Sequence, residues 1–509
     1  MDAGHPHCRQ KRPARDALGS IIISTHGVVL NILLIIPPTD LAASYGNLKD
    51  FSNPVPSLGL AYLASMLRRE GHQVSILDAY VREMSVEQVV QHVASQRPNV
   101  VGLSVLTTSA GVSEQVLIAL SQTLPEVKRV AGNMHAAIFY EDYVKQGLVD
   151  AVVFREGEYT MLELVQAWET GADLAGVQGI AFSRDGQVVV NAPRPFIDNL
   201  DELPFPAWDL YDYSLYKTDP RTAVKGFEKQ HETQILATRG CPNQCTFCSS
   251  RTDRSLGSRY RMRSPQNIVD EIECMLDLLG SHVFSFMDLA FPLVQKHAMA
   301  VCDGIIARGL HRKVVWFTEC RVKPLEMEML VKMKEAGCVR LCFGIESGND
   351  STLRRLKKAF TVQDIRRAVK MAHQAGLEVD GMFMLGLPGE SMEEARQTVR
   401  LASEINVRFA IFNLFVPYPG CLLYDELNEQ NTIHYQSWLD FSSYWTVAGG
   451  QPVYVPDGWS PEKLKEMQAW AMNKFYMRPA FILRQLRDFK PSMLGAYWRG
   501  FVNLLGIGR

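Results

Sequence analysis

The sequence of 509 residues predicts an α/β protein with two successive units built on parallel strands and a helical region after them. Two observations predict this class. Short runs rich in valine, isoleucine and leucine alternate with helical patterns over residues 29–190, and the same alternation returns over residues 232–430. Between them, residues 191–231 combine prolines and aromatic side chains with little periodicity, which is typical of an ordered linker. Residues 431–509 carry mainly helical patterns.

The first unit is predicted to be a doubly wound parallel sheet. Its strand candidates are NILLIIPP, HQVSILDAY, VVGLSV, KRVAGN and AVVFREGE, and the helix between the first two is SLGLAYLASMLRREG. Sheets of this kind bind ligands in the loops at the carboxyl ends of their strands. The residues that we expect to contact a ligand there are Pro38, Ser104, Gly132, His135, Glu156, Gly157 and Glu158.

The nature of that ligand stays open at this point. No G-x-G-x-x-G follows the first strand, so the dinucleotide-binding fingerprint is missing. A sheet that serves only as a scaffold would show the same strand pattern. His135 illustrates the choice, because a single histidine is more often a core or surface residue than a ligand, yet this one lies in a loop at the ligand edge.

The second unit contains six predicted βα repeats, enough for a partial or complete barrel of parallel strands. In such barrels the chemistry lies at the C-terminal ends of the strands. Cys241, Cys245 and Cys248 follow the first of these strands, in RGCPNQCTFCSS. Three thiols cannot pair off into disulfides, and a closed zinc site usually takes four ligands. A cubane iron–sulfur cluster held by three cysteines would leave one iron open to bind something else.

The composition excludes several classes of protein. A net charge of −2 gives no overall attraction to nucleic acid, so we expect no nucleic-acid partner. Ten cysteines in 509 residues are far too few for a disulfide scaffold. Most of them lie singly in apolar runs, which indicates reduced thiols in a cytoplasmic protein.

The two ends of the chain carry weaker signals. Residues 1–28 are expected to be a disordered extension, because the apolar run after RQKRPAR is interrupted by polar residues from Ser24 to His26 and cannot span a bilayer. Ser460 is a predicted N-cap, with Pro461 in the first turn of its helix. The final stretch, MLGAYWRGFVNLLGIGR, is expected to dock on the barrel or to make a weak contact with a membrane surface.

The cysteine motif has a known counterpart. Cys-x3-Cys-x2-Cys, with Phe247 before the last cysteine, resembles the signature of the radical S-adenosylmethionine (SAM) superfamily. FGIESGND, GMFMLGLPGES and VPYPG resemble that barrel's fourth, fifth and sixth strand segments. PSLGLAYLASMLRREGH, GLSVLTT, AGNMHA, FREGEYT and LPFPAWDLYD resemble the cobalamin-binding domain often fused ahead of such barrels. Over residues 30–430 the chain therefore resembles the radical SAM enzymes that carry a cobalamin-binding domain.

The resemblance implies three cofactors: a [4Fe–4S] cluster, SAM and cobalamin. The three cysteines would ligate the cluster and form the catalytic centre, and the open iron would chelate SAM. By analogy with the family, Phe247 would pack near the adenine and Glu346 would bond the ribose or methionine part of SAM. Period-two alternation along CVRLCFGIES puts Cys342 and Gly344 on the same face as Glu346, so Gly344 is expected beside SAM as well.

The implied activity is cleavage of SAM to a 5′-deoxyadenosyl radical that removes hydrogen from the substrate. Its most common outcome in this family is methylation of an unactivated carbon through cobalamin. The resemblance implies a small-molecule substrate, lipid-like or tetrapyrrole-like, and a one-electron reductant such as flavodoxin or ferredoxin. Radical cyclisation or oxidation without methyl transfer is the first alternative, and a metal-stabilised binding or electron-transfer protein is the second.

The sequence departs from related patterns at two points. Asp-x-His-x-x-Gly, which supplies an axial histidine in cobalamin mutases, is absent, as is usual in the fused radical enzymes. FMDLAF carries Asp288 followed by Leu289, where relatives often carry two adjacent acids. The role of Cys342 stays open: it is either a small core thiol or a hydrogen donor in the reaction.

Overall fold

The computed structural model of the protein describes residues 29–39, 54–216, 224, 226–227, 230–252, 257–443 and 449–487. The extension predicted over residues 1–28 and the apolar stretch near the C-terminus, within residues 488–509, lie outside the described residues. No helix among the described residues is both long and apolar enough to cross a membrane.

The N-terminal unit is a single sheet of seven strands. In chain order these are β1 (Asn31–Ile36), β2 (Gln73–Asp78), β3 (Val100–Ser104), β4 (Lys128–Gly132), β5 (Ala151–Val153), β6 (Ile180–Arg184) and β7 (Gln187–Val190). They lie in the order β2-β1-β3-β4-β5-β6-β7, and β1 to β5 are parallel, as the alternation predicts. The helices of this unit are α1 (Leu58–Arg69), α2 (Val86–Gln96), α3 (Ala110–Thr123), α4 (Asn133–Ile138), α5 (Tyr140–Lys145) and α6 (Glu158–Thr170).

Local sequence explains the position of these elements. Strand β1 pairs with both β2 and β3, and its residues Ile32 to Ile35 are almost fully buried, which suits an apolar strand covered on both faces. Helix α1 begins after Ser57, whose hydroxyl accepts a hydrogen bond from the backbone of Leu60. Helix α2 begins with a capping box at Ser85.

The structure differs from the sequence prediction at two places in this unit. Strands β6 and β7 were not predicted; Asp185 and Gly186 join them with φ of 51° and 76°, the conformation of a tight hairpin turn. The hairpin runs antiparallel to β5 and extends the sheet at that edge. The second difference follows β4: the sequence pattern predicts one helix near residues 138–146, and the structure has two short helices, α4 and α5, that meet at Phe139.

The predicted linker is ordered where the structure describes it, over residues 191–216. Trp208 is fully buried, and the backbone of Ala207 donates a hydrogen bond to Ala61 in α1. On the other side, Asp201 accepts a hydrogen bond from the backbone of Ser264 in the second unit. This segment therefore packs against both units.

The second unit is a sheet of six parallel strands arranged in chain order. They are β8 (Glu232–Ile235), β11 (Val283–Phe286), β12 (Val315–Cys320), β13 (Cys338–Glu346), β14 (Glu378–Leu385) and β15 (Phe409–Leu414), and a separate ribbon pairs β9 (Thr238–Arg239) with β10 (Arg261–Met262). The helices are α7 (Pro265–Leu279), α8 (Gln295–Ala307), α9 (Met327–Glu335), α10 (Asp350–Arg355), α11 (Val362–Gln374) and α12 (Met392–Glu404).

Strand β13 shows how the two faces of this sheet differ. Leu341, Phe343 and Ile345 are fully buried in the core that the sheet shares with the surrounding helices. Cys342, Gly344 and Glu346 alternate with them and are less buried, so they lie on the inner face, as period-two alternation predicts. The inner face of the partial barrel is thus the surface left open for a ligand.

The C-terminal region consists of α13 (Leu422–Glu429), α14 (Pro461–Tyr476) and α15 (Pro479–Arg487). The predicted cap is present, because the Ser460 hydroxyl accepts a hydrogen bond from the backbone of Lys463. Helix α14 packs along the edge strand β15, where the side chains of Gln468 and Tyr476 donate hydrogen bonds to backbone carbonyls. Side chains of α14 therefore satisfy carbonyl groups that a neighbouring strand would otherwise pair.

Candidate active site

The three cysteines lie in one loop between the ribbon strand β9 and the turn that starts at Ser249. Backbone hydrogen bonds hold this loop at both ends. Cys241 donates to Gly257 O (3.2 Å), and Thr246 donates to Leu356 O (3.2 Å). Leu423 donates to Thr246 O (3.1 Å), which ties the loop to helix α13 as well. The loop conformation is therefore set by the barrel around it.

The thiols are free and differ in exposure. Cys241 and Cys245 are buried, and Cys248 is half-buried. Burial raises the pKa of the Cys245 thiol, whereas the positive charges of Lys358 and Arg321 oppose that rise. Arg321 Nη1 lies 3.8 Å from Cys245 Sγ. These two cations would favour the thiolate that metal ligation requires.

Glu346 ends strand β13 in a strained conformation. Its φ is +66°, which is uncommon for a residue other than glycine, and the β13–β14 register shifts between Gly344 and Glu346. Its carboxylate forms a buried ion pair with Lys358 Nζ at 3.1 Å. The same ammonium lies 5.5 Å from the centre of the Phe247 ring. Lys358 thus connects the expected SAM residues Phe247 and Glu346, while Gly344 lies directly beside the Glu346 carboxylate.

The neighbouring strand ends complete the inner face around Glu346. Glu319 on β12 is the register partner of Cys342, so both lie on this face. Burial and the negative charge of Glu346 raise the pKa of Glu319. Burial followed by the charge of Glu319 holds the pKa of Cys342 well above its ordinary value. Cys342 is therefore a protonated thiol on the inner face.

Asp288, which the sequence singled out, supports the cysteine loop from below. It is buried, and its carboxylate accepts hydrogen bonds from the Thr238 hydroxyl (2.5 Å) and the backbone of Ala237 (3.1 Å). Burial raises the pKa of Asp288 to about 7, against the hydrogen bonds that lower it. Its contacts are with the chain that leads into the loop, at Ala237 and Thr238, four and three residues before Cys241.

The carboxyl edge of the N-terminal sheet presents small and neutral groups. Ser104 Oγ accepts a hydrogen bond from Asn133 Nδ2 at 3.0 Å, which joins the ends of β3 and β4. Asn133 has a φ of +73°, and a Cβ added at Gly132 before it would make only an ordinary contact, 3.8 Å from the Val153 carbonyl oxygen. Leu106 beside them is 50% exposed. Pro38, at the end of β1, is buried.

His135 does not lie on this open edge, in contrast to the expectation from its loop position. Its ring is 1% exposed and packs against Phe139, Tyr143 and Trp438, with centroids 4.6 Å from Phe139 and from Trp438. Burial lowers the pKa of His135 to about 4, so the ring is neutral. The short helix α4 carries the side chain back into an aromatic cluster that the C-terminal region completes.

Glu156 and Glu158 also differ from the expectation of an open ligand contact. Both are buried and form ion pairs with Arg239 of the ribbon, at 3.1 Å and 2.6 Å. Glu156 pairs in addition with Arg261 at 2.7 Å. Gly157 between them packs against Leu63, which leaves little room for a side chain. These residues join the two units.

The donor groups fit a cluster better than a single metal ion. Among the residues that the structure describes, no three histidine, cysteine, aspartate or glutamate side chains converge closely enough to hold one ion. A closed zinc site needs its ligands around one atom, whereas each thiolate of a cubane binds a different iron. Three free thiols spread along one loop beside two cations therefore fit a cluster.

The edge of the N-terminal sheet fits a large neutral ligand bound by shape. Exposed Leu106, small Gly132 and the Ser104–Asn133 pair offer contact area and hydrogen bonds. His135 is enclosed by aromatic rings, so its imidazole is not accessible to a ligand at this edge. This agrees with the missing Asp-x-His-x-x-Gly pattern. These residues are compatible with a corrinoid that has no protein imidazole on cobalt.

Sequence reasoning did not find several residues of this site. Lys358 lies 12 residues after its partner Glu346, beyond a helix, and no motif marks it. Arg239 and Arg261 pair with residues more than 80 positions away. Asn133 carried a usable signal, since asparagine tolerates a positive φ better than most residues and here follows a glycine at a strand end.

The fold and the site together are typical of radical enzymes in which a ligand-binding parallel sheet precedes a partial barrel with three cysteines in one loop. Comparisons with known proteins agree. Residues 235–402 match the radical SAM superfamily, and residues 47–165 match the B12 binding domain. The chain is 31% identical over 480 residues to the uncharacterized methyltransferase PH0819 of Pyrococcus horikoshii, covering 94% of this chain and 99% of that protein.

Two further relatives extend the comparison. The anaerobic magnesium-protoporphyrin IX monomethyl ester cyclase of Rubrivivax gelatinosus is 28% identical over 438 residues, 84% of this chain and 75% of the cyclase. The solved structure of TsrM from Kitasatospora setae, a radical SAM methyltransferase with cobalamin and a [4Fe–4S] cluster bound, has the same fold. The TM-score is 0.68 at 18% identity, over 89% of this chain and 90% of TsrM.

The chain therefore belongs to the cobalamin-dependent radical SAM enzymes, a family of methyltransferases and cyclases. The family uses a [4Fe–4S] cluster, SAM and cobalamin. The expected fold, enzyme class and cofactors are confirmed.

Proposed function

We propose that the protein is a methyltransferase that modifies an unactivated carbon of a small-molecule substrate with lipid-like or tetrapyrrole-like character. The observation that carries this proposal is the cysteine loop beside the Lys358–Glu346 pair, in a chain whose first unit is a B12 binding domain. A substrate-bound structure of TsrM, with tryptophan and a SAM analogue, supports a small-molecule substrate.

We assign the cluster to Cys241, Cys245 and Cys248, the only cysteines that share one loop among the described residues. When bound, the cluster supplies an electron to SAM and cobalamin serves as the methyl carrier. Arg321 and Lys358 place positive charge near Cys245, which stabilises its thiolate. Asp288 fixes the chain that leads into the loop.

We assign SAM to the inner face next to this loop. The Glu346 carboxylate, oriented by Lys358, would accept hydrogen bonds from hydroxyl or ammonium groups of SAM. The Phe247 ring would pack against the adenine. Gly344 allows the Glu346 carboxylate to lie where it does, since an added Cβ would be 2.9 Å from Glu346 Oε1. Met382 and Ile411 are the register neighbours of Gly344 on β14 and β15 and lie at the same level of the sheet.

We assign cobalamin to the carboxyl edge of the N-terminal sheet, formed by Pro38, Ser104, Gly132 and the exposed Leu106. The Ser104–Asn133 pair would hydrogen-bond amide groups of the corrin ring. Four other residues near this edge would support it without contacting cobalamin: His135, Glu156, Gly157 and Glu158. The three side chains are buried, and Gly157 packs against Leu63.

The domain limits and surroundings of the enzyme follow from these assignments. We propose a cobalamin-binding unit over residues 29–190, a linker over 191–231, a radical SAM barrel over 232–430 and a helical region over 431–509. The reductant would be a flavodoxin or ferredoxin in the cytoplasm. The C-terminal stretch would add at most a weak contact with a membrane surface.

SAM carrying a trideuterated methyl group tests the proposal. Anaerobically reconstituted enzyme, supplied with cobalamin and a metabolite extract from a deletion strain, should form 5′-deoxyadenosine and a product that carries the label. Product without the label, formed together with 5′-deoxyadenosine, would instead favour cyclisation or oxidation, the chemistry named for the cyclase relatives. No 5′-deoxyadenosine under strong reductant would contradict both.

A further inference from the structure

A buried network of four charged residues joins the two units. Arg239 Nη1 and Nη2 bind Glu156 Oε1 (3.1 Å) and Glu158 Oε1 (2.6 Å). Arg261 Nη1 binds both oxygens of Glu156, at 2.8 Å and 2.7 Å, and donates to the carbonyl of Ile197 at 2.9 Å. The four side chains are at most 7% exposed. We call this set the interdomain network.

The positive and negative charges of the network balance each other. Arg239 and Arg261 are direct partners across the β9–β10 ribbon, where two like charges would repel. Two glutamates from the other unit balance them, so the network is neutral as a whole. Both guanidinium groups also lie against aromatic rings, 5.0 Å from the centre of Tyr62 and 4.8 Å from that of Phe196.

The network connects the two places where the cofactors are assigned. Glu156 lies in the turn after β5 and Glu158 is the first residue of α6, so both lie at the carboxyl edge of the N-terminal sheet. Arg239 precedes Cys241 by two residues. Gly240 between them has a φ of +83°, and an added Cβ would lie 2.1 Å from the Arg259 carbonyl oxygen. The backbone between the network and Cys241 is therefore closely packed against the Arg259 backbone.

We propose that the interdomain network is a positioning device that couples cobalamin binding at the sheet edge to the cysteine loop. A close-packed network of ion pairs that contacts both sites carries coupling between them when loading of the cluster changes the arrangement of the loop. A cluster that fixes the loop would also fix Arg239, and through Glu158 the edge that binds cobalamin. By linkage, each cofactor then tightens the binding of the other. The inference rests on the cofactor assignments proposed above.

The test measures hydroxocobalamin binding by absorption titration of the full chain, with and without a reconstituted cluster. The wild-type chain should bind hydroxocobalamin about fivefold or more tightly when the cluster is present. Glu158→Gln keeps the size of the side chain but removes its charge, and should bring this ratio close to one. The matched control is Glu163→Gln, on the same helix as Glu158. It removes a more exposed ion pair with Arg194 and should leave the ratio unchanged.

A second variant guards against a failure to fold. Arg239→Gln combined with Glu158→Gln removes one charge of each sign and should fold while still lacking the coupling. The coupling would be overturned if the cluster did not change hydroxocobalamin affinity in the wild-type chain, or if it changed that affinity equally in Glu158→Gln and in the wild type. Either result would leave the cofactor assignments intact. A wild-type chain that binds no hydroxocobalamin would instead contradict the proposed function, and the coupling with it.

Discussion

The two strand-end regions of this molecule present different side chains at their surfaces. The barrel end carries three free thiols, the strained Glu346 and its buried partner Lys358. The edge of the N-terminal sheet carries a serine, a glycine and an exposed leucine, and its histidine is turned into an aromatic cluster. The first region therefore offers groups for covalent ligation and charge, and the second offers contact area and neutral hydrogen-bonding groups.

The difference shows why only one region can be recognised from side chains. Ligation of iron requires thiolates at a fixed spacing, so the chemistry leaves a pattern in the sequence. A macrocycle that is held by backbone groups and apolar contact sets no such requirement. Substitutions at the barrel end should therefore have large effects and those at the sheet edge small ones.

The largest effect is expected at the cysteine loop. Cys245→Ser removes one of three thiolates, so anaerobically reconstituted protein should hold far fewer than about four irons and lose SAM cleavage by about 1000-fold or more. Iron analysis and chromatography of 5′-deoxyadenosine measure this. Cys302→Ala, on the buried face of helix α8, is the control and should keep its iron. Full iron content in Cys245→Ser would remove the loop from the site.

The next effect is expected at the ion pair beside the loop. Lys358→Met leaves the Glu346 carboxylate without its partner in a nearly buried site, which should lower the free energy of unfolding by about 3–5 kcal/mol. Denaturant unfolding measures the loss. Lys358→Met combined with Glu346→Gln should recover part of it, because the unpaired charge is then gone. Equal losses in the single and double variants would show that the pair acts only through packing.

A smaller effect is expected from His135 on the other side of the comparison. Its pKa of about 4 in the folded chain lies below the ordinary value of about 6.5, so the unfolded chain binds a proton that the folded chain does not. The resulting stability is complete above pH 7 and is lost as the pH falls from about 6.5 towards 4. It should amount to about 2 kcal/mol between pH 7.5 and pH 5.

His135→Phe tests this, since phenylalanine fills the aromatic cluster without a titrating group. Denaturant unfolding at the two pH values should show a fall in stability that is smaller in the variant by that amount. An identical fall in both proteins would mean that the ring is charged or exposed in the folded chain.

The smallest effect is expected at Ser104. Ser104→Ala removes one neutral hydrogen bond with Asn133, so hydroxocobalamin should bind at most about tenfold more weakly. Absorption titration measures this, with Ser121→Ala on the outer helix α3 as a control. A complete loss of binding would show that the sheet edge depends on a single side chain, as the barrel end does.

Much of the fold could be predicted because its elements have local causes. Strand β1 coincides with an apolar run. Helix α12 is amphipathic and begins after its cap, Ser391. The β6–β7 hairpin carried a signal in Asp185 and Gly186, whose pairing favours a tight turn, and that signal was overlooked. The break at Phe139 depends on packing and leaves no local trace.

The site divides along the same line. Cys241, Cys245, Cys248 and the inner-face position of Glu346 follow from spacing and alternation. The enclosure of His135 by Trp438, from a segment 300 residues away, depends on how the C-terminal region folds back. The pairing of Glu158 with Arg239 depends on how the units dock. Such long-range contacts are absent from any single stretch of sequence.

The most direct test of the account is one anaerobic preparation of the full chain, expressed with cobalamin supplied and assayed for iron, corrinoid and SAM cleavage together. We predict about four irons and one corrinoid per chain, and 5′-deoxyadenosine on reduction. Tightly bound zinc without iron, or iron without SAM cleavage, would contradict the assignment of the cysteine loop as the catalytic centre.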